Sequence, residues 1–200
     1  MMELQANPQA RQAVSTAPGM MVVVVGPSGA GKDTLMGRAA HHFDGRADVH
    51  FARRVITRGE DAGGEDHVSV SEGIFETMER AGGFAVSWGA HGLKYGISAA
   101  VLQELAKGNI VIANGSRSVL DHFKAAFPRL TVINVTARPE VLAERLEARG
   151  RETREDILKR LERGSLTVQG DYDVITIDNS GTLDDATRQM IDALEAVLRH

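Results

Sequence analysis

The chain has 200 residues, of which 42% are hydrophobic and 25% charged, and this composition is typical of a globular protein with one substantial core. Its formal net charge of −4 provides no strong attraction to nucleic acid or to an anionic membrane surface. The absence of cysteine excludes disulfides, thiol catalysis and thiolate metal sites.

The first part of the chain does not resemble a folded element. Residues 1–19 contain no apolar core of signal-peptide length, so we expect a mobile leader followed by a single domain over residues 20–200. No apolar run approaches the ~18 residues that would cross a bilayer. We therefore expect a cytoplasmic protein whose partners are small molecules, with no role for nucleic acid or membrane.

From residue 20 onward, short apolar runs alternate with helical patterns, which predicts an α/β fold with a parallel sheet flanked by helices. Five apolar runs are predicted to form the strands of this core sheet: 22–25, 52–57, 109–113, 130–136 and 173–177. Apolar spacing and breaker residues predict the helices: 33–43, 72–81, 98–107, 117–126, 139–148, 154–167 and 183–199.

Two segments depart from this alternation. Residues 58–97 are rich in glycine and polar side chains, with short strand-like pieces at 67–70 and 84–88. Residues 149–163 are dense in arginine. Because ligands of open α/β sheets bind beyond the carboxyl ends of the strands, we expect an insertion at 58–97 and a lid at 149–163 to close over that edge.

A glycine-rich stretch follows the first predicted strand. Residues 26–34 read Gly-Pro-Ser-Gly-Ala-Gly-Lys-Asp-Thr. The glycines permit a tight turn whose N–H groups point into one concavity, and the following helix has a positive N-terminus. Lys32 adds a charge that reaches the outer phosphates. The stretch predicts a P-loop that binds a nucleoside triphosphate through Gly26, Ser28, Gly29, Ala30, Gly31, Lys32, Asp33 and Thr34.

One position departs from the usual P-loop pattern, which places Ser or Thr directly after the lysine. This chain has Asp33 there, followed by Thr34. Mg²⁺ normally takes that hydroxyl and keeps several waters. Asp33, directly or through water, or Thr34 is therefore the expected metal ligand.

Phosphoryl transfer requires positioning and positive charge more than covalent participation by the protein. The arginines of 149–163 could supply that charge, because a guanidinium group binds two phosphate oxygens at once. A solvated helix face paired with neighbouring glutamates is the alternative. Beside a P-loop we favour catalytic roles for Lys32, for Arg149 or Arg151, and for Arg160.

Candidate acceptor contacts lie in the insertion. Arg54 and Arg58 are spaced to face one anionic ligand from a strand end. Glu65 and Asp66 could bind a sugar hydroxyl or a hydrated metal, and the alternative is a flexible polar loop. His91 and Tyr95 could contact a phosphate or ribose, although a loop hydrogen bond would equally explain His91.

A further candidate group follows the third predicted strand, at the edge where α/β ligands bind. It comprises Asn114, Ser116 and Arg117. The alternative for Ser116 is a helix N-cap. For Trp88, in the insertion, the alternative to a ligand contact is packing in the core.

Taken together, the motifs at 26–32, 57–60, 64–66, 95–96 and 149–150 resemble the guanylate kinase-like branch of the nucleoside monophosphate kinases, over about residues 20–198. The resemblance implies that the segment near 54–97 holds the phosphate acceptor and that the arginine-rich segment is a mobile lid. It implies that Arg54, Arg58 and Tyr95 hold the acceptor's phosphate. Arg149 or Arg151, with Arg160, would close on the triphosphate.

The chain departs from that branch where guanine would be recognised. Guanylate kinases bind guanine with acidic side chains that accept from the N–H groups of the base. The matching positions here carry Val86, Ile112 and Asn114. A pocket that lacks these acceptors discriminates strongly against the base, so we expect an acceptor other than GMP.

A closer resemblance is to the ribose 1,5-bisphosphate phosphokinase family of phosphonate breakdown. It is carried by Gly31-Lys32-Asp33 and by residues 62–67, 87–88, 90–93, 95–96 and 114–117. The resemblance implies ATP-dependent phosphorylation of ribose 1,5-bisphosphate, with Mg²⁺, to 5-phosphoribosyl 1-diphosphate. Alternatives are a guanylate or other nucleoside monophosphate kinase, a non-catalytic guanylate kinase-like binding module, and a phosphate-sensing regulator that hydrolyses ATP slowly.

Overall fold

Two sheets organise the part of the chain that the computed structural model describes, namely residues 18–59, 66–148 and 167–199. The first is a five-stranded parallel core sheet of order β2-β7-β1-β8-β9. Its strands are β1 (Met20–Val25), β2 (Val49–Ala52), β7 (Ile110–Asn114), β8 (Leu130–Thr136) and β9 (Asp173–Asp178). The predicted five-stranded parallel sheet is confirmed.

The first strand of the chain lies at the centre of this sheet. Residues 21–25 of β1 are fully buried, because both faces of the sheet are covered. β1 pairs with β7 on one side, where Val24 faces Asn114, and with β8 on the other, where Val25 faces Asn134. The glycine-rich stretch therefore begins at the middle of the carboxyl edge of the sheet.

Helices cover the two faces of the core sheet. In the described chain these helices are α1 (Lys32–His42), α3 (Val101–Ala106), α4 (Leu120–Ala126), α5 (Pro139–Glu147) and α6 (Leu183–Leu198), while α2 (Glu72–Arg80) stacks Phe75 on Phe84 of the second sheet. Helices α1, α5 and α6 share one core cluster, whereas α3 and α4 contribute to the cluster on the opposite face. Helix α6 begins where the Thr182 hydroxyl accepts from the Asp185 N–H at 3.2 Å.

A second, four-stranded sheet of order β4-β3-β6-β5 is formed by the segment predicted as an insertion together with β3, which precedes that segment. Its strands are β3 (Arg54–Ile56), β4 (His67–Ser69), β5 (Phe84–Ala90) and β6 (Leu93–Ser98). β5 and β6 form a hairpin whose turn residues, His91 and Gly92, both have positive φ, at 52° and 74°. Val86, Trp88 and Ile97 bury this sheet against the α4 side of the core.

Three predicted boundaries are wrong. The strand predicted for 52–57 is two strands, β2 in the core sheet and β3 in the second sheet. The helix predicted for 98–107 begins only at Val101, because β6 extends to Ser98. The helix predicted for 117–126 begins as a 3₁₀ turn over Arg117–Val119.

Other predictions fall outside the described residues. The helix predicted for 154–167 lies there except for its last residue, and so does the mobile leader predicted for 1–19 except for residues 18 and 19. The arginine-rich lid predicted for 149–163 lies there entirely. No helix within the described ranges is long and apolar enough to cross a membrane.

Candidate active site

The glycine loop joins β1 to α1 in a conformation that two of its glycines require. Gly26 has φ of 149°, and a Cβ there would lie 2.1 Å from the Val135 carbonyl oxygen. Gly31, the N-cap of α1, has φ of 87°, and a Cβ there would lie 2.5 Å from Asn179 Nδ2. Both the backbone angle and the close approach of neighbouring groups therefore exclude larger residues.

Lys32 reaches back over this loop. Its Nζ donates to the carbonyl oxygens of Gly26 at 2.9 Å and of Pro27 at 3.2 Å. These contacts hold the ammonium group beside the loop at the carboxyl edge of the core sheet. A phosphate bound in the loop would meet both this charge and the N-terminus of α1.

Two residues that the sequence analysis did not single out, Asn179 and Arg145, donate hydrogen bonds to backbone carbonyl oxygens of the loop. Asn179 is 2% exposed, and its Nδ2 donates to the Ala30 carbonyl oxygen at 2.8 Å. Arg145 donates to the Asn179 carbonyl oxygen at 2.9 Å and to that of Gly29 at 3.4 Å. Within one trans peptide the C=O of one residue and the N–H of the next point in opposite directions. The hydrogen bond from Asn179 to the Ala30 carbonyl oxygen therefore directs the Gly31 N–H away from Asn179.

Asp33 and Thr34 occupy the exposed first turn of α1. Asp33 Oδ1 accepts a hydrogen bond from Asn114 Nδ2 at 2.7 Å. The carboxylate and hydroxyl oxygens at these two positions are ligands that Mg²⁺ prefers, so the residues fit this cation. The described residues contain no group of three or more metal-ligating side chains, so phosphate oxygens and water would complete the coordination.

A stack of side chains lies on one face of the second sheet. The Arg54 guanidinium lies 5.0 Å from the centre of the Tyr95 ring, and the Trp88 ring stacks on Tyr95 at 5.5 Å with an interplanar angle of 11°. Trp88 is buried, with its centroid 6.0 Å from that of Phe123 on α4. The core-packing alternative for Trp88 is therefore correct, and its ring also contacts Tyr95.

Two other predicted arginines have partly buried guanidinium groups. Arg58 Nε is buried and has no acceptor among the described residues. Burial lowers the pKa of the Arg117 guanidinium below its ordinary value. An anion beside either group would offset the cost of removing its charge from water.

The remaining described candidates make contacts of other kinds. Asp66 forms an ion pair with Arg53 at 3.0 Å on the surface, and His91 is exposed at the hairpin turn. Ser116 makes no capping bond, and its hydroxyl instead pairs with that of Ser118 at 2.9 Å. Four further candidates lie outside the described residues: Glu65, Arg149, Arg151 and Arg160.

Comparisons with known proteins add three findings. A family model described as guanylate kinase matches residues 19–197. The chain is 68% identical over 180 residues to the ribose 1,5-bisphosphate phosphokinase PhnN of Rhizobium etli (strain CIAT 652), covering 90% of this chain and 91% of the relative. It is 62% identical over 175 residues to the protein of that name from Agrobacterium fabrum (strain C58 / ATCC 33970), covering 88% and 96%.

A solved structure shows the same fold. The crystal structure of guanylate kinase from Anaplasma phagocytophilum superposes with a TM-score of 0.63, covering 90% of this chain and 86% of that one. Sequence identity across the pair is 16%, so the likeness concerns the fold alone.

Proposed function

Because the chain belongs to the guanylate kinase family and, within it, to the ribose 1,5-bisphosphate phosphokinases, we propose that it transfers the γ-phosphoryl group of ATP to ribose 1,5-bisphosphate. The products are 5-phosphoribosyl 1-diphosphate and ADP. The observation that carries this choice of acceptor is the 68% identity along 91% of a relative of that name.

The reaction requires little covalent help from the protein. An oxygen of the 1-phosphate attacks the γ-phosphorus, and the bond from that phosphorus to the bridging oxygen breaks to release ADP. The attacking oxygen is already ionised at neutral pH, so no strong general base is required. Catalysis then depends on bringing two highly anionic molecules together and stabilising the charge between them.

On the nucleotide side, Lys32 and the N–H groups of the glycine loop would bind the β- and γ-phosphates. This assignment is supported by the geometry of the loop, in which Lys32 Nζ donates to the carbonyl oxygens of Gly26 and Pro27. Mg²⁺ neutralises phosphate charge when bound, and Asp33 and Thr34 would hold it. Arg149 or Arg151, with Arg160, would close on the triphosphate, as the motifs imply.

On the acceptor side, Arg54, Arg58 and Tyr95 would hold a phosphate of the sugar. What supports this assignment is the buried Arg58 Nε, which has no acceptor among the described residues, and the Arg54 guanidinium held over Tyr95. Further contacts proposed from the sequence are Glu65, Asp66, His91, Ser116 and Arg117. Among these, Arg117 is partly buried next to the end of β7, and burial lowers the pKa of its guanidinium.

A guanine acceptor is less compatible with the same positions. Val86 and Ile112 are buried at 5% and 1% exposure, and neither side chain has a hydrogen-bonding group. The Asn114 amide donates to Asp33. Of the three side chains only Asn114 has an acceptor, its neutral Oδ1, so the N–H donors of guanine would meet no carboxylate at these positions, which disfavours the base.

The deciding experiment is an ADP-release assay that compares ribose 1,5-bisphosphate with GMP at equal concentrations. We expect kcat/KM for the bisphosphate to exceed that for GMP by about 100-fold or more. A reaction without acceptor measures ATP hydrolysis, and phosphorus NMR identifies the diphosphate product. A preference for GMP would contradict the proposed acceptor.

Replacing Lys32 tests the nucleotide side of the same proposal. Lys32→Ala should lower turnover by about 10²–10³-fold, the usual cost of removing one electrostatic donor from a transition state. Lys107→Ala is the matched control, because Lys107 is exposed and pairs with Glu104 on the surface. Near-normal turnover in Lys32→Ala would show that the loop does not act as proposed.

A further inference from the structure

The contact between Asp33 and Asn114 joins the first turn of α1 to the end of β7. Asn114 is 4% exposed, whereas Asp33 is exposed beside the glycine loop. The 2.7 Å hydrogen bond from Asn114 Nδ2 to Asp33 Oδ1 therefore orients an exposed carboxylate from a buried and rigid element.

The sheet directs Asn114 towards α1. Ile110 and Ile112 of β7 belong to the core cluster shared with α1, and alternation along the strand places Asn114 on the same face. Asn114 also faces Val24 of β1, and the next N–H, of Gly115, donates to the Val24 carbonyl oxygen at 2.9 Å. The side chain thus belongs to the nucleotide loop rather than to the second sheet.

In P-loop NTPases generally, two protein groups hold the cation of the nucleotide complex: the Ser or Thr after the lysine and an Asp supplied from a separate motif. In this chain the loop position carries Asp33, and the neighbouring strand ends in Asn114. The pair still contains a single carboxylate, but the carboxylate is on the loop and its uncharged partner is on the strand.

We propose that Asp33 and Asn114 form a transposed pair, in which Asp33 holds the Mg²⁺ of MgATP and Asn114 is the positioning residue that orients it. The inference rests on the proposed kinase function and moves Asn114 from the acceptor side to the nucleotide side. It also gives a physical reason for the departure from the usual P-loop pattern, because an aspartate at this position has a dedicated partner.

Exchanging the two side chains tests the pair with little change in volume. The variants are Asp33→Asn, Asn114→Asp and the double variant that carries both substitutions. Binding of Mn²⁺ in the presence of ATP is measured by electron paramagnetic resonance, and binding of ATP with and without Mg²⁺ by calorimetry. Neither measurement requires the acceptor or turnover.

Asp33→Asn should weaken Mn²⁺ binding by about 10–100-fold. It should not weaken metal-free ATP binding, because the substitution removes a negative charge beside the phosphates. The double variant keeps the hydrogen bond with donor and acceptor exchanged but has no carboxylate at position 33, so it should bind Mn²⁺ about as weakly as Asp33→Asn. Asn114→Ala, which removes only the orienting amide, should also cost about 10–100-fold. It provides a second test if Asp33→Asn does not fold.

The chain offers a matched control for charge repulsion. Asn109 Nδ2 donates to Glu104 Oε2 at 2.7 Å, which is the same chemical pair, just before the opposite end of β7. Asn109→Asp and Asn114→Asp should both lower the melting temperature by placing two carboxylates in contact. Mn²⁺ with ATP should reverse the loss only in Asn114→Asp.

Any one of three results would overturn the transposed pair: Mn²⁺ binding as tight as in the parent protein by Asp33→Asn, by Asn114→Ala or by the double variant. If the metal-binding test fails but the parent protein phosphorylates ribose 1,5-bisphosphate, the transposed pair is refuted and the proposed function is not. Weakened Mn²⁺ binding in Asp33→Asn and Asn114→Ala, together with a parent protein that does not phosphorylate ribose 1,5-bisphosphate, would support the pair and refute the proposed acceptor.

Discussion

At the scale of single residues, the glycine loop depends on a contact between Gly31 and Asn179. Gly31 has φ of 87° and leaves room for Asn179 Nδ2, which binds the preceding carbonyl. A side chain at position 31 would strain the backbone and displace Asn179 at the same time. The loop's N–H groups would then lose the orientation that a phosphate requires.

Gly31→Ala should therefore lower the free energy of unfolding by about 1–3 kcal/mol and abolish ATP binding. Gly37→Ala, in the same helix, is the control, since a Cβ there meets nothing within 4 Å. It should stabilise the protein by up to about 1 kcal/mol. Urea unfolding and calorimetric ATP titration measure the two effects, and unchanged ATP binding in Gly31→Ala would contradict this account.

The sequence could predict the loop but not the residues that support it. Glycine spacing and the lysine are local signals, so the loop at 26–34 was recognisable without a structure. Asn179 and Arg145 act on carbonyl oxygens more than 110 positions away in the chain, and no local pattern records such contacts. The available signal was position along the chain, because Asn179 directly follows β9 at the carboxyl edge of the sheet, where Asn114 ends β7.

At the scale of elements, the three central strands of the core sheet, β1, β7 and β8, were predictable because their apolar runs are continuous and buried on both faces. The error at 52–57 has a physical cause. β2 and β3 are separated only by Arg53, and the chain passes there from one sheet to the other. Strand pairing is decided by distant partners, here β7 for β2 and β6 for β3, which alternation along one strand does not reveal.

A titratable contact ties α4 to the segment before β9. The Tyr172 hydroxyl donates to the Asp121 carboxylate, and this hydrogen bond raises the pKa of Tyr172 to about 12. The pKa of a tyrosine in an unfolded chain is about 10. The folded state therefore retains the proton longer, so the contact stabilises the protein below about pH 10 and the contribution disappears as the pH rises towards about 12.

The parent protein loses the stabilisation from the Tyr172 hydrogen bond between about pH 10 and 12. Tyr172→Phe should therefore show a smaller difference in the free energy of unfolding between pH 9 and pH 12, as measured by urea unfolding at each pH. Absorbance at 295 nm should show the late-titrating tyrosine in the parent and not in the variant. Asp121→Asn, which keeps an acceptor without the charge, should bring the titration closer to the ordinary value. An identical pH profile in parent and Tyr172→Phe would show that the contact does not form in solution.

At the scale of the whole molecule, the residues proposed to bind the two substrates lie on two different sheets. The core sheet carries the glycine loop, and the second sheet carries Arg54 and Tyr95. The aromatic stack through Trp88 to Phe123 connects the second sheet to α4 on the core sheet. Because β6 lies between β3 and β5, the Tyr95 side chain has Arg54 on one neighbouring strand and Trp88 on the other.

Trp88 is the chain's single tryptophan, so its fluorescence reports on this connection. Ribose 1,5-bisphosphate bound by Arg54 should alter the charge above Tyr95 and change the Trp88 emission in a saturable manner. Arg54→Gln should shift the midpoint of that titration to higher ligand concentration by about tenfold, the loss expected for one charge-assisted contact. GMP at the same concentrations is the control, and an equal response to GMP would argue against acceptor recognition at this stack.

The placement of the first strand in the middle of the core sheet has a consequence for biosynthesis. As the chain leaves the ribosome, β1 emerges long before its neighbours β7 and β8, and Asn179 follows only after the last strand. The glycine loop is therefore synthesised early, but it can adopt its final conformation only after Asn179 has been synthesised. Chains that terminate before residue 179 should be unable to retain nucleotide, which ties the onset of ligand binding to completion of synthesis.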